Sequence, residues 1–332
     1  MASFTDEESA LRPVIRELLS SVTVGFGIAA VLYGITLVQM FLYFRRYPTD
    51  TAFLKATVAL LCVLDTFATA LIAHSLFTYI VVNYWTPAKD LVIPWSFATE
   101  NGVTTLITFI VQCYFAECLW RFTRGNKTLV VSIVLLAVAS LGLGSEATIR
   151  IFVDSTAESL ATKKVRIIGG FAQGTAAICD VMITWGLCYY LDARRSKINS
   201  TNTIIDRLML YAIQRGALTS ITQIFFLITF VAFPGSAFIP LQTATSKLYV
   251  NGLLATLNVR HTLKSDRCGD EAIDVELKQT SFTINTIRSP GSGVSTDLAE
   301  SKVGPPSSRD LRQETTISLE SEPSGKSAVL LA

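Results

Sequence analysis

Residues 22–44 read VTVGFGIAAVLYGITLVQMFLYF, a run without a single Asp, Glu, Lys or Arg, closed at once by Arg45 and Arg46. A helix of that length rises about 34 Å, enough to cross a hydrocarbon core of ~30 Å. Only a helix satisfies every backbone polar group inside such a segment, so the run reads as a membrane span and not as a strand. Six further stretches follow the same grammar, near 56–82, 95–120, 128–153, 167–191, 208–233 and 237–258, each bounded by charge or by Pro and Gly. Pro48, Pro87, Pro94 and Pro234 fall in connections, and Pro240 falls in the first turn of the last stretch. The fold class expected is an all-α membrane protein, a seven-transmembrane helix bundle.

Composition supports this. Of 332 residues, 50% are hydrophobic and only 16% charged, with a mean hydropathy of +0.46, where soluble domains carry about 25% charge. A water-soluble enzyme is excluded on these grounds. The net charge of +2 gives no reason to expect nucleic acid as a partner. The acidic leader with Asp6, Glu7 and Glu8 lacks a basic n-region, so the first run reads as a span and not as a signal peptide.

The basic residues set an orientation. The first, third and fifth connections carry Arg45, Arg46, Lys55, Arg121, Arg124, Lys127, Arg194, Arg195, Lys197 and Arg207. The even connections carry only Lys89, Lys163, Lys164 and Arg166. Positive residues favour the cytosolic side, so the N-terminus is expected outside and the C-terminus inside. Residues 1–21 then form a short extracellular N-terminus and 22–259 the seven-span domain. Aromatic belts are expected from Tyr79, Tyr84, Trp85 and Trp95 outside, and from Tyr43, Phe44, Trp120, Phe122, Tyr189 and Tyr190 inside. Residues 260–332 hold 12 Ser, 7 Thr and 20 of the 54 charged side chains, the composition of a disordered cytosolic tail.

Span by span the chain resembles a family of seven-span membrane proteins from mushroom-forming fungi, catalogued as a domain of unknown function. The resemblance rests on Phe44-Arg-Arg-Tyr-Pro-Thr-Asp50, on His74 through Trp85, on Ile93-Pro-Trp-Ser96, and on Val111 through Arg121. It continues through Asp180 to Leu191, Thr201-Asn-Thr-Ile-Ile-Asp-Arg-Leu208, and Ser246 to Arg260. It implies architecture and a fungal source, and no activity.

Five cysteines, Cys62, Cys113, Cys118, Cys179 and Cys188, lie inside spans, and Cys268 lies in the tail, so no disulfide framework is expected. Two histidines far apart support no metal site, no cofactor is implied, and no nucleophile–base constellation marks an enzyme. The informative residues are ionisable groups at membrane depth, because each needs a partner or water there. Asp180 and Lys247 fall near mid-membrane and are expected to pair. Asp65 and Arg215 lie at similar depth in the inner third, a candidate inner-half pair. Toward the outside come His74, Glu100 and the i,i+4 pair Glu146/Arg150. With Asn251 these residues are either interhelical locks or the lining of a polar pocket. Gly170 and Gly174 are expected at helix contacts. Cys268, flanked by Lys264 and Arg267 just past the last span, is a candidate for acylation.

The last span carries a lysine, but the sixth has neither Trp nor Pro to wall a retinal. The third span ends Glu117-Cys-Leu-Trp-Arg121, and the seventh has Asn251 without a following Pro-x-x-Tyr, so familiar receptor signatures are missing. The reading is a receptor-like or sensory multi-pass protein of the plasma membrane. Its expected partners are the bilayer, a small-molecule ligand in an outer-half pocket and a cytosolic signalling partner at the inner loops and tail. The alternatives are a small-solute, ion or proton transporter using the midplane charges, or a non-signalling structural membrane protein.

Overall fold

The computed structural model describes residues 2–83, 92–123, 127–155, 163–193, 199–232 and 235–260, without the side chains of 2–15, 163 and 199–208. Among them seven long helices follow one another: α1 Ala2–Arg46, α2 Ala52–Phe77, α3 Trp95–Phe122, α4 Lys127–Val153, α5 Lys163–Asp192, α6 Asn199–Ala232 and α7 over 239–260. A π-helical turn, Thr78–Val82, prolongs α2, with the Asn83 N–H donating to the Thr78 carbonyl at 2.9 Å. No strand occurs among the described residues.

Local chemistry marks the helix ends. The Thr51 hydroxyl accepts from the Leu54 N–H and caps α2, the usual way an orphan donor of a first turn is satisfied. Pro94 stands at the N-cap of α3, and Pro240 is the second residue of α7, where a missing N–H removes no intrahelical bond. Arg166 donates from Nε and Nη2 to the Phe230 carbonyl (3.0 and 2.6 Å) and from Nη2 to the Val231 carbonyl (2.6 Å). A guanidinium there satisfies the free carbonyls that end α6 and meets the negative end of its dipole.

Consecutive helices from α1 to α6 pack on one another, and α3 also packs on α5. Six helices contain segments long and apolar enough to cross a membrane: Arg16–Arg46, Ala52–Val82, Trp95–Phe122, Lys127–Val153, Lys164–Asp192 and Met209–Ala232. Their outward faces expose Val31, Phe41, Val63, Leu135, Phe171 and Phe225, while Asp65, Glu100, Asp180, Arg215 and Lys247 are buried. Apolar outside and charged inside reverses the pattern of a soluble protein. The chain has the build of a membrane-embedded protein.

The seventh helix is not among the six apolar ones. Gln242, Thr243, Thr245, Ser246 and Lys247 dilute its hydropathy, and every one of them is at most 4% exposed. A helix whose polar groups face protein does not need lipid-compatible composition. Asn251 bonds to α1, Lys247 to α2, Gln242 to α3 and α5, and Tyr249 to α5 and α6. An apolar cluster closes the end of the bundle where α3 and α7 begin: Val22, Ile72, Tyr79, Phe97, Phe226, Phe230 and Phe238, with Phe230 edge-on to Phe238 at 4.7 Å.

Residues 2–21, the expected extracellular N-terminus, are helical as part of α1. Several expectations change. Tyr43 and Tyr79 are buried and belong to no interfacial belt. Of the two glycines expected at contacts, Gly170 meets Leu227, but a Cβ on Gly174 would meet nothing within 4 Å. The close approaches are at Gly144 against Thr105, Gly216 against Thr184 and Gly252 against Arg215. Residues 261–332, with Cys268, and Tyr84, Trp85, Lys89, Arg124, Arg194, Arg195 and Lys197 lie outside the described residues.

The glycines give a direct check on packing. A Cβ on Gly216 would overlap the Thr184 hydroxyl, which is itself held at 2.8 Å by the Asp180 carbonyl. Gly216→Leu should lower stability by about 1–3 kcal/mol, as overpacking does, whereas Gly174→Leu should change it by less than about 0.5 kcal/mol. Thermal melting of the two purified variants checks this; equal losses would contradict the α5–α6 register.

Candidate functional site

Lys247 stands at the middle of α7 and Asp65 at the middle of α2. The ammonium donates to Asp65 Oδ1 at 2.8 Å and to the Asp65 backbone carbonyl at 3.1 Å. The side chains are 2% and 0% exposed. Two charges so buried stabilise one another only if geometry is close and remaining donors find acceptors, and removing one partner leaves an uncompensated charge. The expected Asp180–Lys247 pair is therefore replaced by Asp65–Lys247, because α7 presents Lys247 to α2 and presents Tyr249 to α5.

Asp180 belongs to a second cluster. Its Oδ2 accepts from the Tyr249 hydroxyl at 2.8 Å and its Oδ1 from Gln112 Nε2 at 3.5 Å, while Gln223 Nε2 donates to the Tyr249 oxygen. Gln112 also donates to the Ala176 carbonyl at 3.3 Å. Four helices, α3, α5, α6 and α7, meet at this carboxylate. The expected Asp65–Arg215 pair does not form, since Lys247 has taken Asp65. Arg215 is 4% exposed, its three nitrogens make no hydrogen bond, and its guanidinium lies 3.8 Å from the centroid of the Phe115 ring. Gly252 makes room for its stem. Arg215 and Asp180 both act electrostatically on Cys179 and Tyr249, so these two charges share one neighbourhood.

The remaining candidates are dispersed. His74 is exposed; its Nδ1 meets Ser96 Oγ at 2.9 Å, and Ser75 Oγ meets the same oxygen at 2.8 Å, tying the end of α2 to the start of α3. Glu146 and Arg150 do pair at 2.6 Å, but both are about two-fifths exposed. Asn251 donates to the Leu32 carbonyl at 2.9 Å and accepts from Thr36, locking α7 to α1. Glu100 is 2% exposed; its Oε1 accepts from Thr104 at 2.8 Å, and its Oε2 has no hydrogen-bond partner.

A cavity of about 60 Å³ opens among α3 to α7, in the half of the bundle nearest the starts of α3, α5 and α7. Phe97, Phe226, Phe230 and Phe238 wall it, and Asn101, Thr104, Thr105, Ser140, Gln173 and Gln242 supply its polar groups. The amides form a ladder across four helices. Gln173 Nε2 donates to Gln242 Oε1 (3.1 Å), Gln242 Nε2 to Asn101 Oδ1 (2.7 Å), and Asn101 Nδ2 to Thr148 Oγ1 (2.8 Å). None of His74, Glu100, Glu146, Arg150, Asp180, Lys247 or Asn251 lines this cavity. Sequence reasoning looked for charges, and the lining is neutral. The only signal available was Asn101, Gln173 and Gln242 standing inside apolar stretches.

At the opposite end, two of the quoted motifs meet. Arg260 Nη2 donates to Asp50 Oδ2 at 2.6 Å, the Tyr43 hydroxyl donates to the same oxygen at 3.0 Å, and Tyr47 donates to the Asn258 carbonyl at 3.0 Å. This lock ties the α1–α2 connection to the last turn of α7, and no reading of single spans would have found it.

Among the described residues no group of three His, Cys, Asp or Glu side chains could hold a metal ion, and Cys62, Cys113, Cys118, Cys179 and Cys188 are free thiols. Fold and site together define a multi-helix, membrane-embedded protein with buried ionic and amide networks. Residues 176–262, from the middle of α5 past the end of α7, match a family of unknown function (DUF6534). No curated protein and no solved structure matches the chain.

Proposed function

We propose that the chain is a seven-span, receptor-like membrane protein that takes a small neutral solute into the cavity between α3 and α7. Supporting the seven-span part, α7 runs 22 residues, about 33 Å of helix, and bonds to α1, α2, α3, α5 and α6. The observation that carries the functional part is the amide ladder Gln173–Gln242–Asn101–Thr148 at the wall of an otherwise aromatic cavity. Such a mixture of apolar walls and a few convergent polar groups is the usual make-up of a small-molecule site.

The lining is without charge, so it favours neutral donors and acceptors over ions. Its volume of about 60 Å³ holds about two waters or a solute of a few heavy atoms. A solute that replaces one rung of the ladder exchanges bonds between α5, α7 and α3, and so biases the setting of those helices. Toward the other half of the bundle, the Asp65–Lys247 pair and the Asp180 cluster fill the interior, an arrangement that favours a closed binding pocket over a through-going path. A plasma-membrane location and signalling through the inner loops belong to the same proposal.

In the proposed orientation the cavity faces outward. Protease added to intact cells should then remove an epitope at residue 1 and spare one at residue 332; the opposite pattern would invert the arrangement. Binding is checked by melting purified protein against small neutral amides and alcohols of a few heavy atoms. At least one class should raise the midpoint saturably in the wild type and not in Gln242→Leu. If every solute acts alike on both proteins, the cavity is not a binding site.

A further inference from the structure

The interior of the bundle does not balance its charge. Five Asp, Glu, Lys or Arg side chains are buried among the described residues: Asp65, Glu100, Asp180, Arg215 and Lys247. Asp65 is matched by Lys247 at 2.8 Å, and Arg215 shares the neighbourhood of Asp180. The less buried Asp50 and Arg260 cancel one another at 2.6 Å. Glu100 is left over. The charged groups acting on it are Lys247 of α7, already committed to Asp65, and Asp65 of α2 itself. Its own helix supplies one neutral donor, the Thr104 hydroxyl. The second oxygen, Oε2, is buried without any partner.

A lone negative charge in such a place is strongly unfavourable, and proteins answer it with a cation, with water or with a donor. Ser246 Oγ on α7, 0% exposed and also without a partner, adds another orphan oxygen to the interior. The way in is marked as well. Thr104 both lines the cavity and donates to Glu100 Oε1, so the carboxylate stands one hydroxyl behind the cavity wall.

We infer that Glu100 is the seat of one exchangeable small monovalent cation, a proton or a sodium ion, reached from the cavity past Thr104. The site serves to neutralise the interior, and it is independent of whether the cavity binds a solute. It also makes the bundle responsive to the ionic composition of whichever side the cavity faces.

The test is thermal unfolding of the full chain in lipid nanodiscs, in sodium chloride against N-methylglucamine chloride at constant ionic strength, and across a pH series. A cation that binds only the folded protein shifts its folding constant tenfold for each tenfold rise in concentration above half-occupation. Wild type should respond in one arm. Sodium in place of the bulky cation raises the midpoint if sodium is bound. For a proton, the folded state binds more protons than the unfolded one, so stability falls as pH rises. Glu100→Gln keeps an acceptor for Thr104 and removes the excess charge. It should fold at least as well as wild type and lose whichever response wild type shows. A wild type insensitive in both arms, or a Glu100→Gln that responds as wild type does, overturns the inference. A Glu100→Gln that fails to fold also overturns it, because excess charge would then not be what Glu100 contributes; Glu100→Leu, which removes the acceptor too, separates that structural role from charge.

Discussion

An ammonium at the centre of a bundle must have a carboxylate within reach, and much of this architecture follows from where Lys247 finds one. Its bonds to Asp65 Oδ1 and to the Asp65 carbonyl fix the depth and the rotation of α7 against α2. With that setting given, the other polar side chains of α7 have their partners decided. Gln242 reaches α3 and α5, Tyr249 reaches Asp180 and Gln223, Asn251 reaches the α1 backbone, and Asn258 donates to the Gln39 carbonyl at 2.9 Å. Losing one charge of a buried pair costs about 3–5 kcal/mol, comparable to a large share of a domain's stability.

The same helix shows what the amino-acid order makes legible and what it hides. Six apolar helices are visible from length and hydropathy, because lipid-facing side chains such as Val31 or Phe171 must be apolar whatever the interior does. The seventh is less apolar, yet it reads as a helix-length stretch near 237–258 and is helical over 239–260, with protein on nearly every side. Burial is legible too: Asp65, Asp180, Arg215 and Lys247 stand inside apolar stretches, and all four are buried. Partner choice is not. Asp65 and Asp180 both lie inside the bundle, on α2 and α5, and which of the two faces Lys247 is a matter of three-dimensional packing that the linear sequence does not carry. For the same reason Arg215 stacks on Phe115 and makes no pair with Asp65.

The cavity escaped the sequence for a different reason. Attention to ionisable residues finds locks, since a charge in the membrane is costly and is held by another group. A neutral site built from Asn101, Gln173 and Gln242 carries no such flag in a linear string. Seen together, the two kinds of polarity divide the bundle: amides and hydroxyls toward one end, ion pairs and the Asp180 cluster at mid-depth, and the Asp50–Arg260 lock at the other end. Glu100 lies at the junction, touching the neutral cavity through Thr104 and feeling the charges of Asp65 and Lys247.

Lys247 is partnered by Asp65 and not by Asp180. A double-mutant cycle on folding stability tests it most directly. Lys247→Met and Asp65→Leu should each be destabilising by about 3–5 kcal/mol, and the double variant should recover most of that loss, a coupling of several kcal/mol. The matching cycle of Lys247→Met with Asp180→Asn should be additive within about 0.5 kcal/mol. Additive losses at Asp65 with strong coupling at Asp180 would contradict the account, because α7 would then have to be turned toward α5.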